Sequence, residues 1–164
     1  MKILGFAGFS GSGKTTLVTN LIPLLIERGY RISTIKHTHH SVFLDGQGEH
    51  SLLLRQAGVH ELILANENRW SMVHENRTSP EPSVEELADL MDPVDLLVIE
   101  GFKRYPHAKI EVHRPALEKP LLCPDDPNII AVASDAHIPA LDRPQLDLNN
   151  LAKIADFIET RILR

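Results

Sequence analysis

The sequence predicts a three-layer α/β fold: a mostly parallel central sheet between helices, with an extra antiparallel hairpin. Three observations predict it. Apolar runs at residues 2–7, 95–99 and 128–133 have strand length and lack the alternation of half-exposed strands. Helical patterns separate several of the strands, as parallel pairing requires. The first strand also runs straight into a glycine-rich turn and then a helix.

In chain order, residues 2–7 read as a buried strand. Residues 14–28 carry Leu17, Leu21, Leu24, Leu25 and Arg28 near one helical face, and Gly29 supplies a stop. Pro23 inside this helix is a possible kink. Residues 31–36 form a second strand, and residues 37–49 are polar and irregular. Residues 51–57 form a short helix ended by Gly58. Residues 61–65 and 70–74 are β-like and flank the turn-prone Asn66, Glu67 and Asn68, which predicts a hairpin. Ser83, with Glu86 three residues later, makes a capping box for a helix over 84–91. A strand at 95–99 follows. Residues 109–113 alternate and predict a strand with one exposed face. Residues 128–133 form another buried strand. The last helix spans 148–162, capped by Asp147 or Asn149.

Composition narrows the class. The 164 residues suit one domain and need no disulfide staple. A net charge of −5 argues against a nucleic-acid binder. The single cysteine, Cys123, excludes an internal disulfide and reads as a small buried thiol. No run approaches the roughly 18 apolar residues of a membrane span. The N-terminal stretch does not read as a signal peptide, so a cytoplasmic protein without a membrane partner is expected.

Residues 8–15, G-F-S-G-S-G-K-T, match G-x-x-x-x-G-K-[ST] between a strand and a helix. Such a loop turns backbone N–H groups toward phosphate oxygens, and the helix N-terminus adds partial positive charge. Lys14 is placed to reach the β- and γ-phosphates, and the Thr15 hydroxyl to bind Mg²⁺. The whole chain, 1–164, then reads as a single P-loop NTPase domain binding a nucleotide. Phe9 stands where one P-loop subclass carries a second lysine, which disfavours that subclass.

D-L-L-V-I-E-G-F-K, residues 95–103, offers two carboxylates for the metal. Asp95 and Glu100 are five apart, so on one strand they face opposite sides and lie about 16 Å apart. Ligands of open parallel sheets gather at the carboxyl ends of strands. That favours Glu100 and leaves Asp95 as a strand-start residue.

I-K-H-T-H-H, residues 35–40, ends the second strand. A metal site, a phosphate or partner contact and a plain polar loop are all open for His37, His39 and His40. This motif comes after the N-terminal GSGKTT. Asp45 and Gly48, R-Q-A-G, Arg69-Trp70, I-E-G-F-K, K-I-E at 109–111 and A-V-A-S-D at 131–135 follow in order. In this order the motifs resemble the MobB family of molybdopterin-guanine dinucleotide biosynthesis adapter proteins, over nearly the whole chain. One departure is His50 before Ser51, where that family usually has an acidic residue.

The resemblance implies a dimeric GTP-binding protein with weak GTPase activity, assisting a MobA-like molybdopterin guanylyltransferase that attaches GMP. Molybdopterin itself is a further candidate ligand. By position, Gly11, Ser12, Gly13, Lys14, Thr15 and Thr16 would hold the phosphates of GTP. Thr15 and Glu100 would serve Mg²⁺, and Asp45 would contact it through water or orient the attacking water. N-K-x-D is absent. Asp135, at a strand's carboxyl end, is the candidate guanine reader, because a carboxylate accepts from guanine N1 and N2 while adenine offers no such donor pair. A turn- or helix-capping role is its alternative.

Slow turnover is expected, since no arginine finger or water-positioning Gln stands out. The competing reading is a P-loop small-molecule kinase with Lys103, Arg104 and Arg114 clamping an acceptor phosphate. It lacks the usual Arg-rich lid. A metallochaperone NTPase built on the histidines is a third reading, weakened by the absence of C-x-x-C. Dimer pairing is expected through open edges at the 61–74 hairpin and the 109–113 strand.

Overall fold

The computed structural model describes residues 1–38, 50–103 and 105–164. Asp45, Gly48, His39, His40 and Arg104 therefore lie outside the described residues. The chain forms two compact units, Met1–His37 with Val84–Arg164, and Thr38–Ser83.

The larger unit is built on six strands: β1 (Lys2–Ala7), β2 (Ile32–Lys36), β5 (Leu96–Glu100), β6 (Lys109–His113), β7 (Ile129–Ser134) and β8 (Gln145–Asp147). They pair in the order β2-β5-β1-β6-β7-β8, every pair parallel. The chain steps from β1 to β2 on one side and later to β6 on the other. The carboxyl end of β1 is thus the place where a ligand crevice opens.

Period-two alternation sorts β5 between two cores. Leu96 and Val98 face one core, with Leu4, Phe6, Ile110 and Val112. Leu17, Leu21 and Leu25 of α1 (Lys14–Glu27) and Ile154 and Ile158 of α4 (Leu151–Ile158) cover that side. Leu97 and Ile99 face the other core, with Ile35 and with Val84 and Ala88 of α3 (Val84–Asp89). A third cluster joins Cys123 to Ile129 and Val132. Each buried Leu or Ile contributes about 1.5–3 kcal/mol by leaving water. Helices α1 and α4 are also tied by Arg28, which donates to Asp156 and Glu159 at 2.8 and 3.0 Å. Helix α1 runs on through Pro23.

The smaller unit holds α2 (His50–Gln56) and the antiparallel pair β3 (Glu61–Ala65) and β4 (Trp70–His74). Asn66 makes the turn: its side-chain oxygen accepts from the N–H groups of Asn68 and Arg69 at 2.8 and 3.0 Å. Arg55 donates to Glu75 at 2.6 Å and fastens the helix to the end of the hairpin.

Three expectations are corrected. Strand β6 has no exposed face: all five residues are buried. It lies between β1 and β7 and so has no open edge. Its polar side is satisfied internally. Lys109 donates to Asp126 at 2.9 Å and to the Tyr105 carbonyl at 2.6 Å. The Glu111 carboxylate accepts from the N–H groups of Leu122 and Cys123 at 2.8 and 2.9 Å. Next, β8 was not expected, because three residues carry no readable period. Finally, α4 begins later than expected, and its cap is Asn150, whose side chain accepts from Lys153 N–H at 3.1 Å. The chain continues beyond α4 in a wider π-type turn, Glu159–Leu163.

Candidate functional site

The glycine loop leaves the carboxyl end of β1 and folds against β6. A Cβ on Gly8 would stand 2.5 Å from the Val112 carbonyl oxygen, so only glycine allows this packing. Gly13 then starts α1 with no side-chain cap, and no acidic residue sits in the first turn. The helix thus presents N–H groups and partial positive charge with no side-chain acceptor of its own.

Lys14 folds back on the loop. Its ammonium donates to the carbonyls of Gly8 and Phe9 at 3.0 and 2.9 Å. Partial burial, and then the positive charge of Lys103, hold its pKa below the ordinary lysine range, while Glu100 pulls the other way. The Lys103 ammonium itself lies 5.3 Å from the centroid of the Phe9 ring. Ser12 is buried, and its hydroxyl has no hydrogen-bond partner among the described residues. Crowded cations, an uncapped helix start and an orphaned hydroxyl together fit a bound phosphate chain.

Glu100 ends β5, next to β1, and reaches this loop. The Thr15 hydroxyl donates to its Oε1 at 2.6 Å, and the Lys36 ammonium lies 3.6 Å from its Oε2. A hydroxyl and a carboxylate are the hard oxygen donors that Mg²⁺ takes. Asp95 lies at the opposite end of the strand, where it accepts from Arg31 N–H at 2.7 Å. Of the histidines, His37 packs its ring on Phe102 with centroids 4.4 Å apart. Among the described residues no group of three or more His, Cys, Asp and Glu forms a metal-ligand set.

On the other side of the loop, Asp135 follows β7. It borders a cavity of about 520 Å³ lined also by Ser134, His137, Gln145, Asp147 and Asn149. Asn149 also lines a smaller recess of about 240 Å³, together with Gly13, Thr16, Asn20 and Arg114. Arg114 stands between loop and strand end: its Nε donates to the Ser12 carbonyl at 3.1 Å, and its Nη1 pairs with Asp135. From sequence, Arg114 reads as solvated surface or as an acceptor clamp. Its partners lie 102 and 21 residues away, which no local pattern announces.

This sheet and loop define a P-loop-type α/β protein. The chain belongs to the MobB family: the model described as molybdopterin guanine dinucleotide synthesis protein B matches residues 3–135. It is 45% identical over 163 residues to the molybdopterin-guanine dinucleotide biosynthesis adapter protein of Haemophilus influenzae, covering 97% of this chain and 88% of that one. The protein of the same name from Escherichia coli (strain K12) is 42% identical over 161 residues, covering 96% and 91%. A crystal structure of molybdopterin-guanine biosynthesis protein B shares the fold with a TM-score of 0.76 at 24% identity, covering 96% of this chain and 98% of that one. Bacillus subtilis MobB superposes with a TM-score of 0.74 at 20% identity, covering 99% and 98%. No helix among the described residues is long and apolar enough to cross a membrane.

Proposed function

We propose that this chain is a GTP-binding adapter of molybdenum cofactor biosynthesis, hydrolysing GTP weakly with Mg²⁺. It would assist a MobA-like guanylyltransferase in attaching GMP to molybdopterin, in a cytoplasmic setting. The observation that carries the nucleotide reading is the Thr15–Glu100 contact at the foot of the glycine loop. It joins the hydroxyl of G-K-T to the acidic end of the neighbouring strand, as a P-loop metal site requires. The adapter role follows the names of the Haemophilus and Escherichia relatives.

In this reading Gly11, Ser12, Gly13, Lys14, Thr15 and Thr16 hold the phosphates. Lys14 gives up its two carbonyl partners for phosphate oxygens, and Thr15 and Glu100 hold the metal. When bound, Mg²⁺ would neutralise phosphate charge there. Asp135 reads the guanine edge. Asp45 is retained as the candidate for water positioning. Weak turnover accords with Arg114 being engaged by Ser12 and Asp135.

A second copy of the chain is the proposed cover for the hairpin. Ile63 and Trp70 are 60% and 68% exposed on one face, and Leu64 is 38% exposed on the other. That much exposed apolar surface on so short a ribbon marks an interaction site. Light scattering at working concentration should report a dimer; a monomer would count against this part.

The deciding experiment measures GTP and ATP binding, then cofactor guanylation with and without the guanylyltransferase. GTP binding plus stimulated guanylation supports the adapter. Phosphoryl transfer to a small acceptor without stimulation would support the kinase reading instead.

A further inference from the structure

We infer that Arg114 is a positioning residue that couples the phosphate loop to the base-reading carboxylate, so that the grip on the phosphates depends on which base is bound. This rests on the nucleotide reading proposed above.

The topology sets up the coupling. β6 lies between β1 and β7, so the residue that follows it emerges between the glycine loop and the end of β7. Arg114 is that residue. Its guanidinium is one rigid plane with donors on separate edges. Nε holds the Ser12 carbonyl at 3.1 Å, and Nη1 holds Asp135. Two groups 123 positions apart in the chain are thereby fixed to one planar unit. Movement of either is felt by the other.

The pair also leaves Asp135 able to read a base. An ionised carboxylate offers about four lone-pair sites, and one guanidinium N–H occupies one of them. A carboxylate accepts from both guanine N1–H and N2–H through its remaining lone pairs. The neighbouring cavity of about 520 Å³ has room for a purine. Ser12 belongs to the loop assigned to the phosphates, so a base that engages Asp135 also steadies Ser12 through Arg114.

A lysine carries its three donors on one nitrogen and has no rigid fork, so it would not hold the two acceptors at a fixed separation as the guanidinium does. Calorimetry on the full chain should therefore compare GTP, ATP and inorganic tripolyphosphate, each with Mg²⁺, on wild type, Arg114→Ala, Arg114→Lys and Asp135→Asn. Circular dichroism verifies folding of each variant, and Arg114→Lys keeps the charge if Arg114→Ala fails to fold. We expect GTP affinity to fall about 10–100-fold in Arg114→Ala, the worth of one charge-assisted hydrogen bond. ATP and tripolyphosphate should lose under about threefold on the same scale. Arg114→Lys should keep tripolyphosphate binding and lose part of the GTP preference. The Arg114→Ala/Asp135→Asn double variant should be no worse than the worse single one.

An equal loss for all three ligands would make Arg114 a strut of the loop and overturn the inference alone. An unchanged GTP-to-ATP ratio in both Arg114 variants would do the same. Wild type that binds tripolyphosphate without preferring GTP overturns the base reading and the inference, and leaves the phosphate loop standing. Wild type that binds none of the three overturns the nucleotide reading itself, and the inference with it.

Discussion

The Thr15 hydroxyl donates to the Glu100 carboxylate across 2.6 Å, joining the first turn of α1 to the end of β5. Parallel pairing makes this contact possible: Phe6 of β1 is in register with Glu100, so the loop after β1 passes the end of β5. Glu100→Gln keeps the shape and a hydrogen-bonding oxygen but removes the charge that a divalent cation needs. Mg²⁺-dependent GTP hydrolysis should drop by roughly 100-fold, the scale of losing one preorganised electrostatic contact. GTP binding should change far less. Asp95→Asn, at the far end of the strand, should leave both unaltered. Single-turnover hydrolysis and calorimetry on the two variants decide the matter, and a larger loss in Asp95→Asn would reverse the assignment of the carboxylates.

Lys14→Ala should abolish nucleotide binding and spare the fold. The ammonium's protein partners are two loop carbonyls, and no core side chain depends on it. A phosphate chain loses much more, because charge-assisted contacts are worth about 1.5–3 kcal/mol each. Two such contacts correspond to a drop of at least about 100-fold in affinity. Calorimetry with GTP, beside a thermal melt within a few degrees of wild type, is the check. Undiminished affinity would remove the loop from the nucleotide site.

Much of this arrangement was legible because its signals are local. G-S-G-K-T fixes a strand, a turn and a helix within a dozen residues, and β5 shows its buried character in L-L-V-I. The five-residue spacing of Asp95 and Glu100 was enough to send them to opposite ends of the strand. What escaped depends on long-range placement. K-I-E-V-H alternates like a half-exposed strand, yet β6 is central, and Asp126 for Lys109 and the Leu122 and Cys123 N–H groups for Glu111 come from a loop 11–17 residues onward. Arg114 reads as a surface cation until β1, β6 and β7 are set side by side. For helix α4 the sequence reading takes Asp147 or Asn149 as the cap and passes over the adjacent Asn150, whose side chain accepts from Lys153 N–H.

Lys109 is 1% exposed, and its charge is balanced by Asp126 at 2.9 Å. Burial alone would raise the Asp126 pKa, but the Lys109 ammonium and the Asn128 donors win and hold it below the usual carboxylate value. Asp126→Asn removes the counter-charge and leaves the ammonium buried. The expected cost is about 3 kcal/mol, at the low end for a broken buried pair because Asp126 is partly exposed. For a chain of this length that is roughly 6–12 °C in Tm. Lys109→Met in the Asp126→Asn background should recover part of the loss, since the lone buried charge is then gone. Thermal melts of the three variants test this. A double variant no more stable than Asp126→Asn would mean that the lysine's other bond, to Tyr105, matters more than its charge.

His107 sets a pH dependence of its own. Its ring lies against β1, so close that a Cβ on Gly5 would fall 2.3 Å from Nε2. Both ring nitrogens are buried without a hydrogen-bond partner among the described residues. Burial first, and then the positive charge of Lys109, push its pKa down to about 4, against the weaker opposing pull of Glu85 and Asp126. In the unfolded chain the ring titrates near 6.5. Between these values the unfolded state binds the proton and the folded state does not, so stability falls as pH falls. The contribution is fully present above pH 6.5 and is lost progressively toward pH 4. Its slope is at most about 1.4 kcal/mol per pH unit, one proton's worth. His107→Leu cannot titrate. Urea denaturation at several pH values across this window should show a shallower decline for the variant than for wild type, whatever their absolute stabilities. Parallel slopes would mean that the His107 ring takes up its proton without unfolding the chain around it.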